Sequence, residues 1–288
     1  MQRSDTAKKG MGIKARYRLV VTIKFVFFTI LSLIILIPFL YLLASAFKPG
    51  SEMNVWPPSF FPKRFTLQNF RTLFETAPFD RFFLNSLGMA TISAVGTLMT
   101  STLAGYVFGK FRFRMNGLLF ALVFSTSIVP FEIYMVPLYI EMVKYKLNNT
   151  FAGMVLPYIV MSFGIFFMRQ MVMQQIPDEL LEAARIDGCS EYGIFFRIVV
   201  PLLKSGIAAL GILAFVEGWN AFVWPLILVS NNKLFTMEIG LALFQTTFNV
   251  DIGAVAAGSL CSVAPILLVF LVFRRQIMES IALTGIKG

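Results

Sequence analysis

Apolar residues run through this chain in long blocks separated by short charged segments. Phe25–Phe47, Phe82–Gly109, Leu147–Met168 and Ile252–Phe273 carry no charged residue. Each exceeds the roughly 20 residues that cross a bilayer as a helix. Two further blocks are interrupted once each by an acid, Glu132 in one and Glu217 in the other. The pattern predicts six transmembrane helices, over about 20–47, 83–109, 117–140, 148–169, 205–230 and 253–273. Alternation with a period of two is absent, which argues against a β-barrel.

Composition agrees. Hydrophobic residues make up 57% of the chain and charged residues 14%, against about a quarter charged in soluble domains. The fold class expected is an all-α polytopic membrane protein. Six crossings put both termini on one side. Segments 1–24, 109–116, 169–204 and 274–288 then face that side and hold 17 of the 25 basic residues. Basic excess marks the cytoplasm, so both termini of this multi-pass protein are expected there. The net charge of +10 follows from topology and contact with anionic lipid, and no nucleic-acid partner is expected. Residues 1–18 read as a mobile basic tail and 19–288 as one transmembrane domain. Ala44-Ser45-Ala46 imitates a signal cleavage site, but the apolar block before it is longer than the roughly 7–15 residues of a signal core. A retained first helix is expected.

The chain has no histidine, which excludes Ser-His-Asp and Cys-His catalysis, His-based zinc sites and haem ligation by His. Cys189 falls in a polar segment and Cys261 inside the last apolar block, so no bridge is expected. Gly105–Phe111, GYVFGKF, misses the phosphate-binding loop. It is one residue short between its glycines, and Phe111 stands where Ser or Thr must hold magnesium. No catalytic residue, metal or cofactor is expected on this chain.

Several features inside the apolar blocks ask for a role. Ser93, Thr97, Ser101, Gly105 and Gly109 recur every four residues, a stripe suited to close helix packing, to an intersubunit contact or to a transport path. Pro130 and Pro137 should kink the third helix around Glu132. An acid at membrane depth is a functional candidate, although Glu132 also suits an interfacial position. In the fifth block Glu217 precedes GWNAFVWPL, Gly218–Leu226. Trp219, Asn220 and Trp224 there are candidates to line a path, with a packed kink as the alternative.

The charged insert EAARIDGCSEYGIFFRIVVP, Glu182–Pro201, lies between the fourth and fifth blocks. Pro177, Asp178 and Glu179 make a helix start, and the predicted helix covers about 178–188. Leu180, Leu181, Ala184 and Gly188 share one stripe, opposite Asp178, Glu182 and Arg185, while Ile186 breaks the pattern. Gly188 suits a left-handed cap and Ser190 can start the next helix. The helix is too short to span a membrane. It could lie on the lipid surface or serve as a linker, but its apolar stripe and charged back also fit docking into the groove of a soluble partner.

Glu182-Ala183-Ala184, Gly188, Ile198 and Pro201 resemble the E-A-A, G, I-x-L-P signature of binding-protein-dependent ABC importer permeases, with Val200 in place of leucine. SAFKP, LNNTFAGMVLPY, PDELLEAARIDG, GWNAFVWPL and the tail ALTGIKG are similar to the carbohydrate branch, the smaller permease of maltose-type importers. The resemblance implies half of a translocation channel in a bacterial-type inner membrane, working by alternating access. The implied partners are a second permease, an ATPase dimer carrying ATP and Mg, and an extracytoplasmic solute-binding protein. It implies that Glu182, Ala183, Ala184, Asp187 and Gly188, with Leu180 and Leu181, couple to the ATPase. It also implies that Thr284, Gly285, Ile286, Lys287 and Gly288 reach the ATPase, and that the loop at about 231–252 contacts the binding protein. A permease for a non-sugar solute such as a polyamine or phosphate ester is the near alternative, and an ion-coupled carrier a more distant one.

Overall fold

The structure, a computed structural model, describes residues 5–53, 55–247 and 252–285. Among these residues every regular element is helical. The chain divides into two compact units, residues 1–72 with 251–260, and residues 73–250 with 261–288.

The smaller unit contains α1 (Asp5–Ala46), the one-turn α2 (Gly50–Met53) and the start of α3 (Gln68–Thr76). Residues 5–18, expected as a tail, continue α1 as helix. From Leu19 to Leu40 the large apolar side chains of α1 stay exposed, as a lipid-facing helix requires. Packing begins where the helix ends. Ala46 meets Ala256 and Ala257, flanked by Phe47 and Phe70. Asn69 donates its amide to the carbonyls of Ala46 at 2.9 Å and Lys48 at 2.7 Å, closing carbonyls that the helix end leaves open. Lys48, 1% exposed, donates to the Ser59 carbonyl and lies over the Tyr41 ring.

The larger unit is organised around α4 (Phe79–Lys110). The stripe of small residues faces inward: Ser93, Thr97 and Ser101 are buried. A Cβ on Gly105 would come within 2.7 Å of the Met168 side chain and 2.8 Å of the Arg169 backbone nitrogen. Close packing within the chain therefore accounts for the stripe. Thr97 and Thr100 donate to the carbonyls of Tyr158 and Ile159, each at 2.7 Å.

The third apolar block departs from expectation. In place of one kinked helix, α5 (Asn116–Ser125) runs into a 3-10 turn at Thr126–Ile128, and α6 (Phe131–Lys144) leaves at 103° to it. Pro130 cannot donate to the ladder, and it disfavours helical geometry at the residue before it. The hydroxyls of Ser125, Thr126 and Ser127 donate to the carbonyls of Leu122, Val123 and Phe124 at 2.7–2.8 Å, which satisfies the turn from within. The fourth block is α7 (Phe151–Val155), a 3-10 turn at Leu156–Tyr158 and α8 (Ser162–Gln175).

The polar segment forms α9 (Asp178–Ile186). It is followed by α10 (Glu191–Ile194), a π-helical turn at Phe195–Val199 and α11 (Val200–Leu202). An 80° bend leads into α12 (Lys204–Trp219), and α13 (Val223–Leu228) follows after a break at 220–222. The expected fifth span is thus two helices. The outer loop predicted near 231–252 holds a 3-10 turn at Asn232–Leu234 and α14 (Met237–Thr247), with Met237, Ile239 and Leu241 buried. It is tied to α4 by the Asn85 amide, which donates to the Lys233 and Phe235 carbonyls at 2.9 Å. α15 (Ile252–Gly285) closes the chain. Four helices among the described residues are long and apolar enough to cross a membrane, and six crossings result if each bent pair counts as one.

Candidate functional site

Two places in the larger unit concentrate polar chemistry. The first is α9. Pro177 precedes it, Asp178 and Glu179 occupy its first turn and Arg185 its last, so its charges complement the helix dipole. It ends in a Schellman cap. Cys189 N–H donates to the Ala184 carbonyl and Gly188 N–H to that of Arg185, both at 3.0 Å. Gly188 sits at φ +81°, where a side chain would be strained. Ser190 accepts from Gly193 N–H at 3.2 Å and starts α10 as its sequence position predicts.

The helix is clamped to the bundle on one side. Leu181 and Ala184, 2% and 7% exposed, join Tyr106, Met168, Val172 and Ile194 in a core cluster. Asp178 pairs with Lys110 at 2.5 Å, and Glu191 binds Arg185 at 2.7 Å and accepts from the Tyr106 hydroxyl at 3.2 Å. The hydrogen bond and charge of Lys110 hold the Asp178 carboxyl below its ordinary range. Arg185 does the same for Glu191 and is itself pushed up by that hydrogen bond.

This arrangement corrects one expectation. The stripe assigned to a partner's groove is turned inward at Leu181 and Ala184, because the bundle offers apolar surface there first. Leu180 and Gly188 remain exposed, and so do Glu182, Ala183 and Asp187. Ile186, which breaks the amphipathic pattern, is 87% exposed on the outer side. Thr284 and Gly285 lie at the end of α15, and Ile286, Lys287 and Gly288 fall outside the described residues.

The second place is an open cavity of about 1020 Å³. Three helix breaks converge on it, at Thr126–Val129, at Pro157–Met161 and at Asn220–Phe222. Glu132, Glu217, Tyr134, Tyr158 and Asn220 line it, and the Thr126 and Ser162 hydroxyls bond across two of the breaks at 2.6 Å. Asn220 and Trp224 border the cavity. The Trp224 indole is buried and donates to the Gly153 carbonyl at 3.1 Å. Trp219 does not border it. Its ring packs against Phe83 and Phe215, and it donates to the Ser262 carbonyl at 3.0 Å. Ser127, Tyr134, Tyr158 and Ser162 were missed. Pro130 marked one break, but nothing local says that breaks distant in sequence meet. No group of three or more metal-ligating side chains occurs among the described residues.

Residues 101–277 match the family described as binding-protein-dependent transport system inner membrane component. The chain belongs to this family. It is a transport permease integral to the bacterial inner membrane and not an enzyme, the ATPase of such systems being a separate subunit. The arabinooligosaccharides transport system permease protein AraQ of Halalkalibacterium halodurans is 37% identical, over 91% of this chain and 94% of that protein. The sulfoquinovosyl glycerol transport system permease protein SmoH of Agrobacterium fabrum is 31% identical, over 88% and 89%. The sn-glycerol-3-phosphate transport system permease protein UgpE of Escherichia coli is 31% identical, over 86% and 91%. A solved chain from a bacterial ABC transporter that imports the acidic polysaccharide alginate has the same fold, with a TM-score of 0.81 at 20% identity, over 90% of this chain and 96% of that one.

Proposed function

We propose that this permease forms half of the solute path of an ATP-driven carbohydrate importer. It crosses the membrane six times with both termini in the cytoplasm and takes its energy through α9. The observation that carries the reading is the two-sidedness of α9. One side is fastened to the bundle by Leu181, Ala184 and the Asp178–Lys110 pair, with Arg185 held by Glu191, which Tyr106 of α4 also binds, and the other presents Glu182, Ala183 and Ile186 to the outside. A helix fastened in this way transmits force; one lying loose would not.

The partners are a second permease, an ATPase dimer binding ATP and Mg, and an extracytoplasmic solute-binding protein. Closure of the ATPase dimer moves α9. Asp178–Lys110 and Glu191–Tyr106 pass that motion to α4, which packs on α8 and α12. The cavity then opens to one side of the membrane at a time. The tail from Thr284 to Gly288 adds a second contact with the ATPase. A carbohydrate solute is supported by the sugar-transporting relatives and by the lining of hydroxyl, phenol, amide and aromatic groups, which suits a polyhydroxy ligand.

The test is a crosslink. A cysteine introduced by Ala183→Cys should join this chain to the ATPase, and Gly188→Pro, which cannot adopt φ +81°, should abolish uptake while leaving membrane insertion intact. Absence of the crosslink together with unchanged uptake in Gly188→Pro would remove α9 from the mechanism.

A further inference from the structure

Family membership leaves the charge of the solute open, since the relatives include transport proteins for neutral sugars and for acidic solutes alike. The cavity carries an observation on that point. Glu132 and Glu217 line the same space, together with Tyr134 and Tyr158. Among the described residues no Lys or Arg lines the cavity, although the chain carries 25 basic residues against 15 acidic ones. Among the described residues neither carboxylate has a basic side chain within ion-pair distance. Two unpaired carboxylates on a cavity formed by three broken helices are costly in a membrane, and such groups mark a path.

We propose that this cavity selects its solute by charge. It admits neutral polyhydroxy sugars and turns away anionic ones such as uronates, sulfonates and phosphate esters, with Glu132 and Glu217 as the specificity-determining residues. The proposal rests on the carbohydrate-importer reading above. Sugar hydroxyls donate to the two carboxylates, the strong kind of hydrogen bond. The Asn220 amide and the phenols of Tyr134 and Tyr158 add further partners, and the aromatic faces accept the apolar face of a pyranose or furanose ring. An anionic solute would meet two like charges in a cleft whose low-dielectric walls concentrate their field.

The local potential can be measured directly, without knowing the solute. The assembled importer in membranes, with Cys189→Ser and Cys261→Ser as background, receives one probe thiol on the cavity through Ser127→Cys or Asn220→Cys. Rates of modification by a cationic and an anionic methanethiosulfonate are each divided by the rate with a free thiol in solution. The cationic reagent is expected to be favoured about tenfold or more, and Glu132→Gln with Glu217→Gln should bring the ratio to about one. Equal normalised rates in the parent, or a preference that survives both substitutions, overturns the proposal. Uptake of a neutral oligosaccharide and of a uronate of the same length by vesicles holding the whole importer separates the two readings. Comparable uptake of both overturns charge selection and leaves carbohydrate import standing. Uptake of neither, with the reagent preference intact, overturns the carbohydrate reading and leaves the cavity's charge standing.

Discussion

Around α9 the backbone is closed locally: proline and acids at the start, a Schellman cap at the end, a serine cap on the next helix. Around the cavity three helices stop short. Hydroxyls of the turn itself close the first break, Thr97 and Thr100 of α4 reach the carbonyls of the second, and Thr126 and Ser162 join the two. The first region is a rigid peg whose outer face has few polar obligations to its own chain. The second is a set of bends held together by long-range contacts. The difference teaches that the two jobs assigned to this permease, taking up force and holding solute, call for opposite constructions. A peg must not deform under load, whereas a path must change shape, and bends between short helices are where shape changes cheaply.

That contrast can be broken most severely at the peg's anchor. Leu181→Asp buries a charge in the core cluster, and a loss of about 3 kcal/mol or more is expected, read as loss of monodisperse protein after detergent extraction. Next comes the close approach of α4 and α8. Gly105→Leu should cost about 1–3 kcal/mol through overpacking against Met168 and Arg169, seen as a lower Tm of the purified permease. If it leaves Tm unchanged, the stripe is not a packing device. Third, Trp224→Phe removes the donor to the Gly153 carbonyl and should cost about 1 kcal/mol. Fourth, Ile186→Asp should stay within about 0.5 kcal/mol of the parent because the residue is exposed, yet it should lower recovery of the ATPase on affinity purification. Full recovery would place the ATPase contact elsewhere on α9.

The smallest effect concerns the clamp. Asp178 and Glu191 have carboxyls held below their ordinary range. Their ion pairs are therefore complete above about pH 4, the usual unfolded carboxylate value, and are lost as pH falls through the lowered folded values. The Tm difference between the parent and Lys110→Ala should be small at neutral pH, shrink with added salt and vanish once the pH is below the folded value. A difference that grows on acidification contradicts the clamp.

Legibility followed the same division. The limits of α9, its Gly188 cap and the Ser190 start were readable, because helix caps and dipoles act over a few neighbouring residues. The inward turn of Leu181 and Ala184 was not, since an amphipathic stripe has the same pattern whether it meets its own bundle or a partner. Pro130 announced an interruption but not its 103° angle, which the packing around α5 and α6 settles. Glu132 and Glu217 each stood out alone. Trp219 and Trp224 looked alike in sequence, five residues apart, yet one borders the cavity and the other packs against Ser262.

By itself the sequence determined that this protein lives in a bilayer, that it is helical, where its apolar blocks lie and which short polar helix breaks them. Those properties depend on transfer from water and on hydrogen bonds within a few turns. Only the tertiary structure decided which side of α9 is left free and which broken ends share one cavity. Both depend on groups up to a hundred residues apart, whose meeting no local pattern encodes.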